Sequence, residues 1–197
     1  MTFRLGLTGS IGMGKTTTAN LFRDAGCEVW NADNAVHRMY QAGGKAVMSI
    51  NNVFPGSVID GEVSRAKLKI ILQDNPSNFH ILEKIVHPLV AQDRNHFLSN
   101  ATSEVCVFDI PLLFETDGDK NMDAVACVAV DYATQKQRVL GRGTMTLAQF
   151  SQITAKQLPI AEKVERSDYI ITTDTLRNAK RQVVEILDDI KGHKENA

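Results

Sequence analysis

The strongest chemical signal in the sequence is a glycine-rich stretch near its start, Gly9-Ser-Ile-Gly-Met-Gly-Lys-Thr16. It has the form G-x-x-x-x-G-K-[ST], in which glycines let successive backbone N–H groups point at one anion. The N-terminus of the following helix adds a partial positive charge, so polyphosphate binds without a large net charge. We therefore predict a nucleotide-phosphate site built from consecutive residues, namely Gly12, Met13, Gly14, Lys15, Thr16 and Thr17.

Lys15 and Thr16 have side chains suited to phosphoryl chemistry. The Lys15 ammonium is expected to reach the β- and γ-phosphates of ATP, and the Thr16 hydroxyl to complete the coordination sphere of a Mg²⁺ ion. The stretch follows an apolar strand and opens a helix, as this mechanism requires. A glycine-rich turn with an incidental lysine is the alternative, and the strand-to-helix context disfavours it.

A phosphate-binding loop alone fits a GTPase switch, an ATPase motor or a small-molecule kinase. Guanine-specific switches need an N/T-K-x-D segment, and no such tetrapeptide occurs in the sequence. Transporter-type ATPases carry an L-S-G-G-Q-like signature, which the sequence also lacks. The remaining interpretation is a kinase that holds both substrates in one small cleft.

Composition limits the class of protein around this site. The 197 residues include 22 Lys and Arg against 23 Asp and Glu, a net charge of −1, and 43% are hydrophobic. This balance argues against a general binder of nucleic acid or membrane surfaces, because those usually carry a basic surplus. Three widely spaced cysteines offer no disulfide framework, and neither a secretion signal nor a membrane span is recognisable. We expect a cytoplasmic protein, monomeric or a weak homo-oligomer.

Charge is distributed unevenly behind this neutral total. Residues 101–134 hold seven acids and one base, whereas residues 135–166 hold six bases and two acids. Two solvated faces would explain the difference. A cleft between an acidic metal side and a basic phosphate side would explain it equally well.

Five short apolar runs predict the strands that position these residues, at 5–8, 28–31, 105–110, 124–130 and 168–172. The third and fourth runs are nearly continuous and valine-rich, which is typical of strands buried on both faces of a parallel sheet. Helical patterns alternate with the strands, the last of them over 175–190. This alternation predicts an α/β fold with a doubly wound parallel five-stranded sheet.

The pattern changes between residues 49 and 100. Pro55-Gly56 and Asp60-Gly61 predict turns, and long helical patterns follow them. We interpret residues 49–100 as a mostly helical insert. The whole chain, 1–197, is then a single domain whose core comprises about 1–48 and 101–197.

Five motifs occur in order along the chain: Leu7-Thr-Gly-Ser-Ile-Gly-Met-Gly-Lys-Thr16, Asn31-Ala-Asp33, His87-Pro88, Asp109-Ile-Pro-Leu-Leu-Phe-Glu115 and Gln135-x-x-Arg138-x-x-x-Arg142. In this spacing they resemble the dephospho-CoA kinase family, over residues 4 to about 173. The resemblance implies a P-loop kinase-type fold, with a helical substrate-binding insert and a lid at about 142–166. It also implies transfer of the γ-phosphate of ATP, with Mg²⁺, to the ribose 3′-hydroxyl of dephospho-CoA, the last step of coenzyme A synthesis.

The resemblance assigns roles outside the loop. Asp33 is the second acid of the family's D-A-D and would accept or orient the proton of the ribose 3′-hydroxyl, although capping of the next helix is an alternative. Asn31 stands where the family has its first acid. Asp109 ends a buried strand and would contribute to Mg²⁺ binding, as in a Walker-B arrangement. Arg138 and Arg142 lie four apart on one helix and would cover the phosphates when the lid closes.

Other matches concern the acceptor and the lid. His87 would hold the ribose or phosphate of the acceptor, although a histidine within an apolar helical pattern is more often a core residue. Leu112 would shape the wall beside the acceptor, and Arg65 would bind its phosphates. Gly143 stands where the family commonly has an acidic or amide residue. Matches of lower specificity are Glu115, Lys67, Gln157 and Lys163.

Overall fold

A computed structural model describes residues 2–195. Its strands are β1 (Phe3–Thr8), β2 (Glu28–Asn31), β3 (Val58–Ile59), β4 (Glu62–Val63), β5 (Val105–Asp109), β6 (Ala124–Ala129) and β7 (Tyr169–Thr172). Its helices are α1 (Lys15–Asp24), α2 (Ala32–Tyr40), α3 (Val47–Val53), α4 (Arg65–Asp74), α5 (Ser77–Asn100), α6 (Tyr132–Gly141), α7 (Leu147–Thr154), α8 (Ile160–Glu165) and α9 (Leu176–Glu195). A 3₁₀ turn occupies Gly118–Asn121.

The five predicted strands form one parallel sheet in the order β2-β5-β1-β6-β7. The central strand β1 pairs with β5 on one side and β6 on the other, and β6 pairs with β7. Residues of β5 are buried throughout, as the valine-rich sequence predicts. The α/β prediction with a doubly wound five-stranded sheet is therefore confirmed.

The main core lies between this sheet and helices α1 and α9. Phe22 of α1 and Val183 of α9 are almost fully buried there against strand residues such as Leu7 and Ile171. A smaller cluster around Leu113 covers the β5–β6 region. Helix α9 runs to Glu195, beyond the predicted end at residue 190, and continues through Gly192 after its last buried apolar residue, Ile190.

The chain divides into two compact units. The first, which contains the sheet, comprises Met1–Trp30 and Ala101–Ala197, and the second comprises Asn31–Asn100. The predicted insert begins at residue 49, whereas the second unit begins at Asn31. Helix α2 belongs to that unit because it packs on α5, where Arg38 Nη2 pairs with Asp93 Oδ1 at 2.8 Å.

The second unit is largely helical, and it also contains a β-hairpin that the sequence analysis did not predict. Strands β3 and β4 form a short antiparallel hairpin in which Val58 pairs with Val63. Helix α4 follows directly, and the Ser64 side chain caps it by accepting from Lys67 N. No helix described between residues 2 and 195 is long and apolar enough to cross a membrane.

Two adjacent isoleucines on β7 allow a test of which face of this strand packs on the main core. Ile171 is 0% exposed and Ile170 is 48% exposed. Ile171→Ala should lower the free energy of unfolding by about 2–5 kcal/mol, since it leaves a cavity in the main core. Ile170→Ala is the matched control and should cost about 1 kcal/mol or less. Urea denaturation measures both variants, and equal losses would contradict the assignment.

Candidate functional site

The predicted phosphate-binding loop joins β1 to α1, at the carboxyl end of the central strand. Gly12 has φ +79° and Gly14 has φ +88°, values that L side chains rarely adopt. Space also requires glycine at the first position, because a Cβ at Gly12 would overlap Val139 Cγ2 of α6. Gly14 is the N-cap of α1 and carries no capping side chain, so the first N–H groups of the helix are left for an anion.

Side chains from other elements hold the backbone of this loop. Gln135 Nε2 of α6 donates to Ile11 O at 2.7 Å, and Gln157 Oε1 accepts from Ile11 N at 3.2 Å. Thr173, which follows β7, donates through Oγ1 to Met13 O at 2.8 Å. Thr173 belongs to none of the predicted motifs, and Gln135 and Gln157 were singled out only through resemblance.

Lys15 and Asp109 meet at the carboxyl end of β5. Lys15 Nζ forms an ion pair with Asp109 Oδ1, and Asp109 is 1% exposed. Sheet register brings the two together, since Asp109 lies opposite Leu7 and Ile110 N donates to Leu7 O. The sequence analysis expected a metal-bound water or Thr16 to satisfy this buried carboxylate, and the structure shows Lys15 as a partner. A charge this buried requires one.

The remaining loop residues divide between binding and packing. Thr16 and Thr17 are exposed on the first turn of α1, where their hydroxyl groups can be reached by a ligand. The Met13 side chain is instead buried in the main core, at 2% exposure, and its N–H donates to Ser10 O at 3.2 Å. Met13 therefore supports the loop rather than a ligand. Within residues 2–195, no three His, Cys, Asp or Glu side chains are grouped to hold a metal.

A cavity of about 280 Å³ adjoins the loop. Both predicted arginines line it, Arg138 near the end of α6 and Arg142 directly after that helix. The remaining lining comes from the loop, α1 and the start of α9, namely Gly12, Gly14, Thr17, Thr18, Thr173, Thr175, Leu176 and Ala179. The structure thus brings together the phosphate loop, two cations and a segment after β7 that sequence reasoning missed.

The two arginines differ in their hydrogen bonds. Arg138 Nη2 donates to Thr173 O at 2.6 Å, and its Nη1 donates to Thr173 Oγ1 at 3.2 Å. Arg142 is exposed and makes no hydrogen bond or ion pair with any of the residues that the structure describes. Arg138 is therefore held in the cavity wall, whereas the guanidinium of Arg142 is available to an anion.

Asp33 lies in the second unit, on the first turn of α2. Asn31 caps this helix, because its Oδ1 accepts from Asn34 N at 2.8 Å. The alternative that Asp33 is the cap is therefore wrong. The Asp33 carboxylate is exposed and lines a cavity of about 520 Å³.

The lining of this second cavity combines one acidic, two basic and several apolar side chains. Its lining consists of Asp33, Val36, Tyr40, Arg65, Leu68, Lys69, Leu72 and Phe79. The Arg65 guanidinium carbon lies 5.8 Å from the centre of the Tyr40 ring, a cation–π contact that steadies the cation. Burial raises the pKa of Tyr40 despite that cation, so its hydroxyl stays neutral. Asp33 and Arg65 are thus brought together as predicted side chains of one cavity.

The other predicted acceptor residues lie elsewhere. His87 is exposed on α5, directly before Pro88, so the core interpretation of this histidine is wrong. It is not part of the cavity that contains Asp33 and Arg65. Leu112 is 42% exposed in the segment after β5. Their roles toward an acceptor stay predictions.

A buried ion pair anchors the segment after β5. Lys163 of α8 is 0% exposed, and its Nζ lies 2.8 Å from Glu115 Oε1 and donates to Pro111 O at 3.1 Å. Glu115 Oε1 also accepts from Leu158 N at 2.9 Å. Burial alone would raise the pKa of Glu115, but these hydrogen bonds outweigh it and hold the pKa below its ordinary value. The predicted lid, 142–166, therefore includes a helix that this pair anchors.

Comparison with known proteins gives one consistent result. A family model described as dephospho-CoA kinase matches residues 3–178. A relative from Ruegeria pomeroyi named dephospho-CoA kinase is 57% identical over 191 residues, which cover 97% of each chain. The structure of TT1252 from Thermus thermophilus matches with a TM-score of 0.86 at 25% identity, covering 94% of this chain and 96% of its own. A dephospho-CoA kinase from Campylobacter jejuni shares the fold, with a TM-score of 0.71 at 22% identity over 98% of this chain and 100% of its own.

Removing one partner of the Lys163–Glu115 pair should be costly. Lys163→Met leaves a buried carboxylate without its cation and should lower the free energy of unfolding by about 3–5 kcal/mol. Adding Glu115→Gln should restore most of that loss, because no unpaired charge remains. Lys156→Met, at an exposed lysine nearby, is the control and should change stability by about 0.5 kcal/mol or less.

The Lys163–Glu115 pair should also make the stability of the protein depend on pH. Because the folded-state pKa of Glu115 is lowered, its contribution to stability is complete above the unfolded value of about 4.3 and is lost as pH falls through the folded value. Denaturation between pH 7 and pH 3 should therefore show a smaller acid loss for Glu115→Gln than for the wild type. Identical pH profiles would contradict the assignment.

Proposed function

The chain belongs to the dephospho-CoA kinase family, and on that premise we propose how its residues share the reaction. It transfers the γ-phosphate of ATP to the ribose 3′-hydroxyl of dephospho-CoA, giving ADP and coenzyme A in the last step of coenzyme A synthesis. One observation carries the division of roles. The phosphate-binding loop, with Lys15 at its end, adjoins a cavity lined by Arg138 and Arg142.

ATP binding is assigned to the loop and this cavity. Backbone N–H groups of Gly12 and of residues 14–17 receive the phosphates, because the loop offers donors and the helix N-terminus offers positive charge. The Met13 N–H instead donates to Ser10 O at 3.2 Å. The adenosine part of ATP is assigned to the cavity beyond Gly14, between the arginines and the segment 173–176. Its volume of about 280 Å³ is of the order that a nucleoside occupies.

A Mg²⁺ site is proposed at Thr16 and Asp109. Mg²⁺ is usually bound through one or two carboxylates together with waters and substrate phosphates, so a dedicated cluster of three acidic residues is not required. The buried Asp109 carboxylate and the exposed Thr16 hydroxyl are hard oxygen ligands of the required kind. When bound with ATP, the ion would neutralise charge on the phosphate oxygens.

Neutralisation of the transferring group is assigned to Lys15 and Arg142. Phosphoryl transfer passes through a loose transition state whose charge is spread over the phosphate oxygens, so positioned cations contribute most of the catalysis. Lys15 ends the loop, and Arg142 has a guanidinium without a partner among the described residues. Arg138 is given a holding role, because two of its N–H groups already bind Thr173.

The acceptor is assigned to the cavity of about 520 Å³ in the second unit. Dephospho-CoA carries a diphosphate and a long, partly apolar arm. Arg65 and Lys69 supply cations for the diphosphate, and Leu68, Leu72 and Phe79 supply apolar surface, so one cavity provides both chemistries. Asp33, in the same lining, is proposed to accept or orient the proton of the 3′-hydroxyl.

Further features stay predictions from the sequence. They are contacts of His87 and Leu112 with the acceptor, a cytoplasmic location and a monomeric or weakly associated state. Two alternatives also stay open to experiment. A kinase for another nucleoside or nucleotide would share the loop and both arginines, and a nucleotide-dependent binding module would bind ATP without transferring phosphate.

An acceptor panel tests the proposed reaction. Purified protein with ATP and Mg²⁺ should produce ADP and coenzyme A when dephospho-CoA is added, and little ADP with adenosine, AMP or shikimate. A coupled assay for ADP and chromatography for coenzyme A measure this. Lys15→Met should abolish turnover and serves as the control for contaminating kinases. ADP formed only with another acceptor, or ATP binding with no transfer, would contradict the proposal.

Asp33→Asn tests the proposed proton acceptor. The amide cannot accept the hydroxyl proton, so kcat should fall by about 100-fold or more, while the Kd for ATP stays unchanged because Asp33 is not part of the loop. Asp74→Asn, an exposed carboxylate at the end of α4, is the matched control and should leave kcat unchanged. Unchanged kcat in Asp33→Asn would remove Asp33 from the mechanism.

A further inference from the structure

The phosphate-binding loop depends on the direction of its peptide groups. Ile11 C=O and Gly12 N–H belong to the same peptide, and Met13 C=O and Gly14 N–H belong to another. The described residues contain no cis peptide bond, so in each of these planar units the C=O and the N–H point in opposite directions. A side chain that holds the carbonyl on one side therefore turns the N–H to the other side.

Gln135 holds the first of these carbonyls. Its Nε2 donates to Ile11 O at 2.7 Å, so the Gly12 N–H of the same peptide points away from Gln135. Thr173 holds the second, through the 2.8 Å bond from its Oγ1 to Met13 O. The Gly12 and Gly14 N–H groups therefore point away from Gln135 and Thr173, and no described residue accepts a hydrogen bond from either.

These peptides need external support because of the residues beside them. Gly12 and Gly14 have positive φ and no side chain, so the flanking peptides would otherwise rotate at little cost. A rotated peptide would present a carbonyl oxygen to the phosphates in place of an N–H donor. Fixing the loop before ATP arrives removes this ordering cost from binding.

Gln135 is itself rigidly placed for this task. It is 4% exposed, and α6 packs so closely on the loop that a Cβ at Gly12 would overlap Val139 Cγ2. Gln157 adds a contact on the preceding peptide, where its Oε1 accepts from Ile11 N at 3.2 Å. The backbone of Ile11 is thus hydrogen-bonded at its N–H by Gln157 and at its carbonyl by Gln135.

We propose that Gln135 is a positioning residue for phosphate binding, which fixes the Ile11–Gly12 peptide so that the Gly12 N–H faces the phosphates of ATP. Gln135 touches no substrate in this role. It acts through the loop, and its effect is on the affinity for phosphate rather than on the acceptor. The inference rests on the proposed function, since it takes ATP as the ligand of the loop.

The test variant is Gln135→Met, which keeps the length of the side chain and removes the donor. Isothermal titration calorimetry should show the Kd for ATP rising about tenfold, because one charge-assisted hydrogen bond to phosphate is weakened. The Kd for inorganic tripolyphosphate, which engages the loop without the adenosine cavity, should rise by the same factor. In kinetics, KM for ATP should rise while KM for dephospho-CoA does not.

The control is Gln137→Met, the same substitution at an exposed glutamine on the same helix, which should leave both Kd values unchanged. Gln135→Glu is a second variant of nearly identical shape, whose carboxylate cannot donate to Ile11 O. Gln135→Glu should weaken the binding of ATP and tripolyphosphate at least as much as Gln135→Met does. It replaces Gln135→Met in the test if that variant does not fold. The melting temperature of each variant is measured alongside.

The outcomes separate the inference from the proposed function. Unchanged Kd values in both Gln135 variants, or a lower melting temperature with unchanged Kd, would overturn the positioning role. A rise for ATP but not for tripolyphosphate would overturn it too, since the effect would then come from the adenosine cavity. Wild-type protein that binds neither ligand would overturn the proposed function instead.

Discussion

The structure depends on one backbone constraint: a short loop must turn several N–H groups toward a single anion. Such a loop is poor in internal hydrogen bonds, because its carbonyl groups are turned outward, and its glycines make it pliable. The rest of the first unit supplies what the loop lacks. The loop begins at the carboxyl end of the central strand β1, and α6 packs against Gly12. Gln135 and Thr173 donate hydrogen bonds to two of its carbonyl groups.

Buried ion pairs place the charges around this loop. Lys15 pairs with Asp109 at the end of β5, and Lys163 pairs with Glu115 six residues further along the same segment. Arg166 adds a pair with Asp119 at 3.3 Å. Two direct ion pairs therefore join the acidic stretch 101–134 to the basic stretch 135–166. The opposite charges of the two stretches largely cancel, which explains the near-neutral net charge of the chain. Arg142 takes part in none of these pairs, and the proposed reaction assigns it to phosphate together with Lys15.

Much of the fold followed from local patterns. The five strands were predictable from short apolar runs, which are nearly continuous in β5 and β6 because those strands are buried on both faces. Their parallel arrangement followed from the alternation of strands with helical patterns. The β3–β4 hairpin was not predicted, since two residues per strand are too short to show a period. The boundary of the second unit at Asn31 was also missed. It depends on packing of α2 against α5, a contact between segments more than 50 residues apart such as Arg38 with Asp93.

The sequence by itself determined the phosphate-binding loop, the kinase class and most of the side chains to which the proposed reaction assigns a role, because those functions require particular residue types at fixed short spacings. Only the tertiary structure decided that Lys15 pairs with Asp109, that Asn31 rather than Asp33 caps α2, and that Thr173 borders the cavity beside the loop. Each of these contacts involves common residue types whose partners cannot be identified from the neighbouring sequence. A glutamine that holds a carbonyl 124 residues away, or a threonine that holds one 160 residues away, carries no local signal, because the order of the strands and the packing of α6 bring the partners together.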